Sequence, residues 1–151
     1  MITTIRTTSD NEDFCKLIDL LNKELHARYG ARQEFFNQFN KLDTIKHALV
    51  AYAGNEPVGT GAIRQYSIDT MEIKRMFVPA ERRGNGIASV VLKELEKWSR
   101  EMNYERCILE TGSKLPEAVR LYENNGYKRI ANYGQYADVK DSLCFEKRLS
   151  W

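Results

Sequence analysis

The spacing of apolar residues along the chain changes period several times, and each change marks an element. "MITTIRTT" reads as a first strand, after which Phe14, Leu17, Ile18, Leu21 and Leu25 fall on one face of a helix. Ser9 with Glu12 has the spacing of a capping box that would start that helix. "RQEFFNQFNKL" places Phe35, Phe36, Phe39 and Leu42 at helical spacing and predicts a shorter second helix. From His47 the period shortens: "HALVAYAGNEPVGTGAIRQY" holds two strand-like runs separated by the turn-forming "GNEP", a hairpin.

"TMEIKRMFV" continues as a third extended run, with Met71, Ile73 and Phe77 expected on one face and Glu72, Met76 and Val78 on the other, until Pro79 stops it. The helical period then returns in Ile87, Val91, Leu95, Trp98 and Met102, with Lys93, Glu94, Lys97, Arg100 and Glu101 on the remaining faces. "RCILET" reads as a buried strand. Pro116 opens and Gly126 closes a last helix that turns Ala118, Leu121 and Tyr122 inward, and "YKRI" and "SLCFEKRL" are the final strands. The order β-α-α-β-β-β-α-β-α-β-β describes an α/β (α+β) layer structure around one mixed sheet. Without repeats, low-complexity tracts or linkers, the simplest organisation is one domain over residues 1–151.

Composition narrows the function classes. Lys and Arg number 23 against 21 Asp and Glu, a net charge of +2 that is too balanced for a nucleic-acid binder, so any anion site has to be local. No stretch approaches the roughly 20 apolar residues that span a bilayer, and the N-terminus lacks a secretory apolar core, so we expect no membrane partner and a cytoplasmic address. Cys15, Cys107 and Cys144 lack CxxC spacing and sit among apolar residues, which fits small buried side chains better than a disulfide framework or zinc site. His26 and His47, a widely separated pair, are not credible metal ligands.

The unusual segment is "MFVPAERRGNGIASVV", where a strand hands almost directly to a helix through two arginines and two glycines. A helix start leaves N–H groups unpartnered at the positive end of the peptide dipoles. Gly84 and Gly86 can take positive φ and let an anion approach the amides of Asn85, Gly86, Ile87 and Ala88, while Arg82 and Arg83 add charge at the rim. A pyrophosphate suits that chemistry. The segment fails GxGxxG because Ser89 stands at the last position, and no GxxxxGK[ST] is present.

Arg83-Gly84-Asn85-Gly86-Ile87-Ala88 does resemble motif A, [R/Q]-x-x-G-x-[G/A], of the GCN5-related N-acetyltransferases, the GNAT family. The resemblance extends to "EIKRMFVP" before it and to "PEAVRLYENNGYKRI", which is similar to the family's C-terminal A-x-x-L-Y-x-x-x-G-[FY] signature. It covers about residues 47–148 and implies a mostly antiparallel sheet splayed between its fourth and fifth strands. It further implies acetyl-CoA as cosubstrate, with the pyrophosphate on the glycine turn and the pantetheine arm paired to Met76, Phe77 and Val78.

The implied reaction is direct aminolysis of the thioester in a ternary complex, without a metal. A backbone N–H of Phe77 or Val78 holds the oxyanion and Tyr122 protonates the leaving thiolate. Glu72 takes the position some members use for a base acting through water; it is equally placed to be an ion-pair partner of Lys74 or an arginine. The family's usual asparagine before the final helix is missing from "TGSKLPEA", where Thr111 or Ser113 is the available substitute.

On the acceptor side, His26, Arg28, Tyr29 and Arg32 with Tyr133, Tyr136 and Asp138 are the candidates, a set suited to a small amine such as an amino acid. The expected activity is therefore N-acetylation of a small-molecule primary amine, with homodimers common among similar proteins. Two competing readings remain open: an acyl-CoA sensor that binds without transfer, and a nucleotide-binding domain built on the glycine turn.

Overall fold

The structure is a computed structural model that describes residues 1–30 and 45–150. Seven strands, β1 (Ile2–Thr7), β2 (His47–Ala53), β3 (Glu56–Ser67), β4 (Thr70–Phe77), β5 (Arg106–Gly112), β6 (Lys128–Ile130) and β7 (Ser142–Arg148), form one sheet in the order β1-β2-β3-β4-β5-β7-β6. Helices α1 (Glu12–Tyr29), α2 (Ile87–Glu101) and α3 (Pro116–Asn124) flank it. Each strand and each of these helices matches a segment predicted from the sequence. The second helix expected around Phe35, Phe36, Phe39 and Leu42, and with it Arg32, lies outside the described residues.

All pairings are antiparallel except β4 with β5. That parallel pairing covers only Thr70–Glu72 against Arg106–Ile108, whereas β5 and β7 pair along seven residues. Past Glu72 the two strands part, which is the expected splay. The larger apolar core lies on the face covered by α2, where Leu49, Met71, Ile73, Val91, Leu92, Leu95, Leu109 and Phe145 are all buried. Each such side chain contributes roughly 1.5–3 kcal/mol of transfer free energy. On the opposite face Phe14 and Ile18 of α1 pack on Ala48, Val50 and Ala62.

Close packing of α2 depends on β3 having no side chain at Gly61. A Cβ there would stand 2.6 Å from Leu95 Cδ1 and 2.7 Å from Val91 Cγ1.

Three local expectations are corrected. Helix α1 is capped two residues after the proposed box opens, by Asn11, whose Oδ1 accepts from Phe14 N at 2.9 Å. Ser9 is diverted, its backbone N–H bonding Ile45 O and its Oγ accepting from Ile45 N. The alternation in β4 breaks at Arg75, whose φ of 59° accompanies a slip in the β3–β4 register between Thr60 and Ala62. The extra residue resets the parity, so Met76 and Val78 join Met71 and Ile73 on the α2 side, and Phe77 does not. Cys15 is only half-buried; Cys107 and Cys144 are buried, and all three are free. No described helix is long and apolar enough to cross a membrane.

Candidate active site

Two adjoining cavities occupy the wedge between β4 and β5. The outer one, about 280 Å³, is walled by Met76, Phe77 and Val78 of β4, by the turn residues Arg82, Arg83, Gly84 and Gly86, and by Ile87 and Ala88 of α2. Nine of the ten residues expected to hold the cofactor thus share one cavity. The tenth, Asn85, is exposed and spends its side-chain amide on Arg82 O at 3.1 Å. Gly84 and Gly86 have φ of 83° and 77°, conformations that side chains other than glycine adopt at a cost of about 1–2 kcal/mol. Gly86 is the α2 N-cap and supplies no side-chain acceptor, so the first amides of the helix are not capped by a side chain.

The two arginines are already engaged. Arg82 Nε and Nη2 donate to Glu56 at 3.1 and 2.5 Å. Arg83 donates from Nε to Val78 O at 2.8 Å and from Nη2 to Glu24 of α1 at 2.6 Å. Arg28 reaches from α1 to Glu117 of α3 at 2.7 Å, so ion pairs from α1 cross the mouth of the wedge on both sides.

The inner cavity, about 140 Å³, is smaller and more polar, with Lys74, Arg75, Glu110, Thr111 and Tyr29 in its wall. Tyr122, with Leu21, Leu25, Met76, Leu115 and Ala118, lines both cavities and so stands where they meet. Its ring packs against Tyr127 and Phe145 with centroids 5.8 and 6.2 Å away. Burial pushes its phenol well above the ordinary tyrosine range, keeping the proton on oxygen at neutral pH. Of the two proposed substitutes for the missing asparagine, Thr111 lines the inner cavity and Ser113 lines neither.

Glu72 lines neither cavity. It is buried to 2 % exposure, accepts from Tyr133 Oη at 2.7 Å and lies 3.8 Å from Lys74 Nζ. Lys74 in turn donates to Tyr136 Oη at 3.2 Å. Burial draws the Lys74 ammonium below its usual range, with Glu72 opposing that shift. The phenols of Tyr133 and Tyr136 are both driven upward, first by burial and then by the neighbouring carboxylates.

Glu110 is the site residue the sequence reading missed. It lies on β5 within the buried-strand pattern "RCILET", where nothing local marks it as different from a partly covered strand carboxylate. Its position in the cavity arises from the splay. Burial raises its carboxyl to about 6, against the opposing pull of the Ser142 hydroxyl, which donates to it at 2.7 Å, and of Lys74. Among the expected acceptor-side residues, Tyr29 lines the inner cavity, and Tyr133 and Tyr136 form the polar layer behind it. Arg28 faces the mouth, while His26 and Asp138 line neither cavity.

The fold has precedents along nearly the whole chain. The model of the acetyltransferase (GNAT) family matches residues 12–127. The chain belongs to that family. It is 31% identical over 98% of its length to an IAA acetyltransferase of Azospirillum brasilense, also covering 98% of that protein. A candidate acyl-CoA N-acyltransferase from Klebsiella pneumoniae superposes with a TM-score of 0.82 at 25% identity, covering 99% of both chains. A GNAT acetyltransferase from Elizabethkingia anophelis, solved with acetyl-CoA bound, shares the fold at a TM-score of 0.72 and 18% identity, covering 98% of both chains. As a GNAT protein the chain is an acetyltransferase enzyme, and acetyl-CoA is its donor. Among the described residues, no group of three or more His, Cys, Asp or Glu is arranged to hold a metal ion.

Proposed function

We propose that the protein moves the acetyl group of acetyl-CoA to the primary amine of a small molecule by direct attack in a ternary complex. The observation that carries this reading is the meeting of the two cavities at Tyr122: one is walled by the glycine turn, the other by a carboxyl with a raised pKa. The outer cavity takes the donor, its pyrophosphate on the amides from Asn85 to Ala88 and its pantetheine arm along Met76–Val78. Arg82 and Arg83 turn spare donors toward the phosphates, and Asn85 fixes the turn through Arg82 O.

Glu110 is the base in this reading. Glu72, held by Tyr133 and Lys74, fills the ion-pair alternative instead. The acceptor ammonium gives one proton to Glu110, whose carboxyl at about 6 is mostly ionised near neutral pH and so ready to accept it. The freed nitrogen attacks the thioester carbon and the backbone N–H of Phe77 or Val78 holds the oxyanion. The C–S bond breaks and the sulfur takes the Tyr122 proton. The second amine proton restores Tyr122, and Glu110 returns its own to solvent.

Thiol release should be followed with acetyl-CoA and a panel of amino acids, polyamines, aminoglycosides and peptides, with IAA as a further arm. Turnover confined to small amines supports the reading. Tight coenzyme A binding with no transfer to any small amine would replace it with a sensor role, and transfer only to peptides would replace the acceptor class.

A further inference from the structure

Arg75 is held in a strained backbone conformation. It is a non-glycine residue at positive φ, a conformation worth of order 1–3 kcal/mol of strain, and it forms the bulge of β4. Thr60 Oγ1 donates to its carbonyl at 2.9 Å and fixes that backbone. Bulges beside active sites re-aim side chains, and this one brings Arg75 into the wall of the inner cavity beside Lys74.

The side chain is also left incomplete. Arg75 is 9% exposed, its Nε has no hydrogen-bond partner, and no carboxylate of the described residues lies within ion-pairing distance. The other cation of this wall, Lys74, has Glu72 beside it, and at the rim and mouth of the wedge Arg83 has Glu24 and Arg28 has Glu117. A buried charge without a partner is destabilising by several kcal/mol, and a guanidinium is shaped to take a carboxylate through two parallel N–H bonds. Glu110 stands in the same cavity wall and is suited to an ammonium.

We propose that the acceptor is a small amino acid-like molecule whose free carboxylate binds Arg75 while its amine is turned toward Glu110. This deepens the acetyl-transfer reading and rests on it. Arg75 is in these terms a specificity-determining residue. It anchors the unreactive end of the acceptor, so its contribution appears in KM.

The experiment compares each of the common amino acids with its own carboxamide as acceptor, in the wild type and in Arg75→Asn, since asparagine tolerates positive φ. We expect the wild type to favour at least one amino acid over its amide by on the order of 10²-fold in kcat/KM, and Arg75→Asn to erase that preference by raising KM for the acid alone. Calorimetry of acetyl-CoA on both proteins, with unchanged affinity, certifies the variant's fold. Calorimetry of the same amino acids on the coenzyme A complex reads the carboxylate contact without turnover. Failure of any amine to accept acetyl removes the proposed function. Acetyl transfer in which no acid outruns its amide, or in which Arg75→Asn weakens acid and amide equally, overturns the role of Arg75 alone.

Discussion

The outer and inner cavities meet at one tyrosine yet are built on opposite principles. The outer wall is mostly main chain and apolar side chain, a strand edge, two glycines at positive φ and the uncapped start of α2, with Arg82, Arg83, Glu24 and Glu117 paired around it. The inner wall sets three ionisable groups, buried Arg75 with half-buried Lys74 and Glu110, among its apolar side chains, backed by Glu72, Tyr133 and Tyr136. A backbone cradle tolerates many sequences because any residue supplies an N–H, so it suits a donor that does not vary. Buried charges are costly and specific, each requiring its own counterpart. Such a wall suits a ligand that has to be distinguished from its neighbours.

The sharpest way to break this contrast is to neutralise the inner wall. Glu110→Gln keeps the shape and the acceptor for the Ser142 hydroxyl, and should lower kcat by about 10³-fold while leaving acetyl-CoA affinity within about twofold. Glu72→Gln, by contrast, should show its defect mainly in acceptor KM. Equal kcat losses in the two variants would return Glu72 to the role of base. At the junction, Tyr122→Phe should cost about 10²-fold in kcat with donor KM unchanged, since only the proton donor is lost.

The outer wall predicts the reverse signature. Gly86→Ala meets open space but forces a side chain to φ of 77°. If the free turn relaxes to relieve about 1–2 kcal/mol of strain, binding has to restore the cradle, so we expect KM for acetyl-CoA to rise about tenfold with acceptor KM untouched. A change in acceptor KM alone would show that the cavities have been assigned the wrong way round.

The smallest effect is on stability. Glu110 holds its proton to about pH 6 when folded, against an ordinary value of 4.5. Between those values the folded state binds more protons than the unfolded one, so this group's contribution to stability falls as pH rises, by about 2 kcal/mol in all. The Tm of Glu110→Gln should therefore gain on that of wild type by several degrees from pH 4.5 to 6.5. Parallel Tm profiles across that window would place the Glu110 carboxyl in water.

The same contrast explains what was legible in the sequence. Gly84, Gly86 and Tyr122 lie in short contiguous motifs, because a turn and a helix start are local structures. Each described strand and helix likewise matched a local run, most of them by period. Glu110 was not, because its environment is made by the parting of β4 and β5 and by Ser142, 32 residues away. Arg75 was hidden for a different reason: a one-residue bulge has no period, and strict alternation across it put Phe77 on the wrong face. Gly112 shows how tightly this side is fitted, since a Cβ there would stand 1.6 Å from Tyr29 Oη.

The three residue pairs that join β4 to β5 make the sheet, in mechanical terms, two plates on a short hinge. A donor arm laid along Met76–Val78 would bridge the plates and turn the cosubstrate into a temporary structural strand. Binding at a hundred times its dissociation constant would add about 2.7 kcal/mol to the stability of the fold. The enzyme would then be stiffest when loaded with donor, the state in which an acceptor has to be held still for attack.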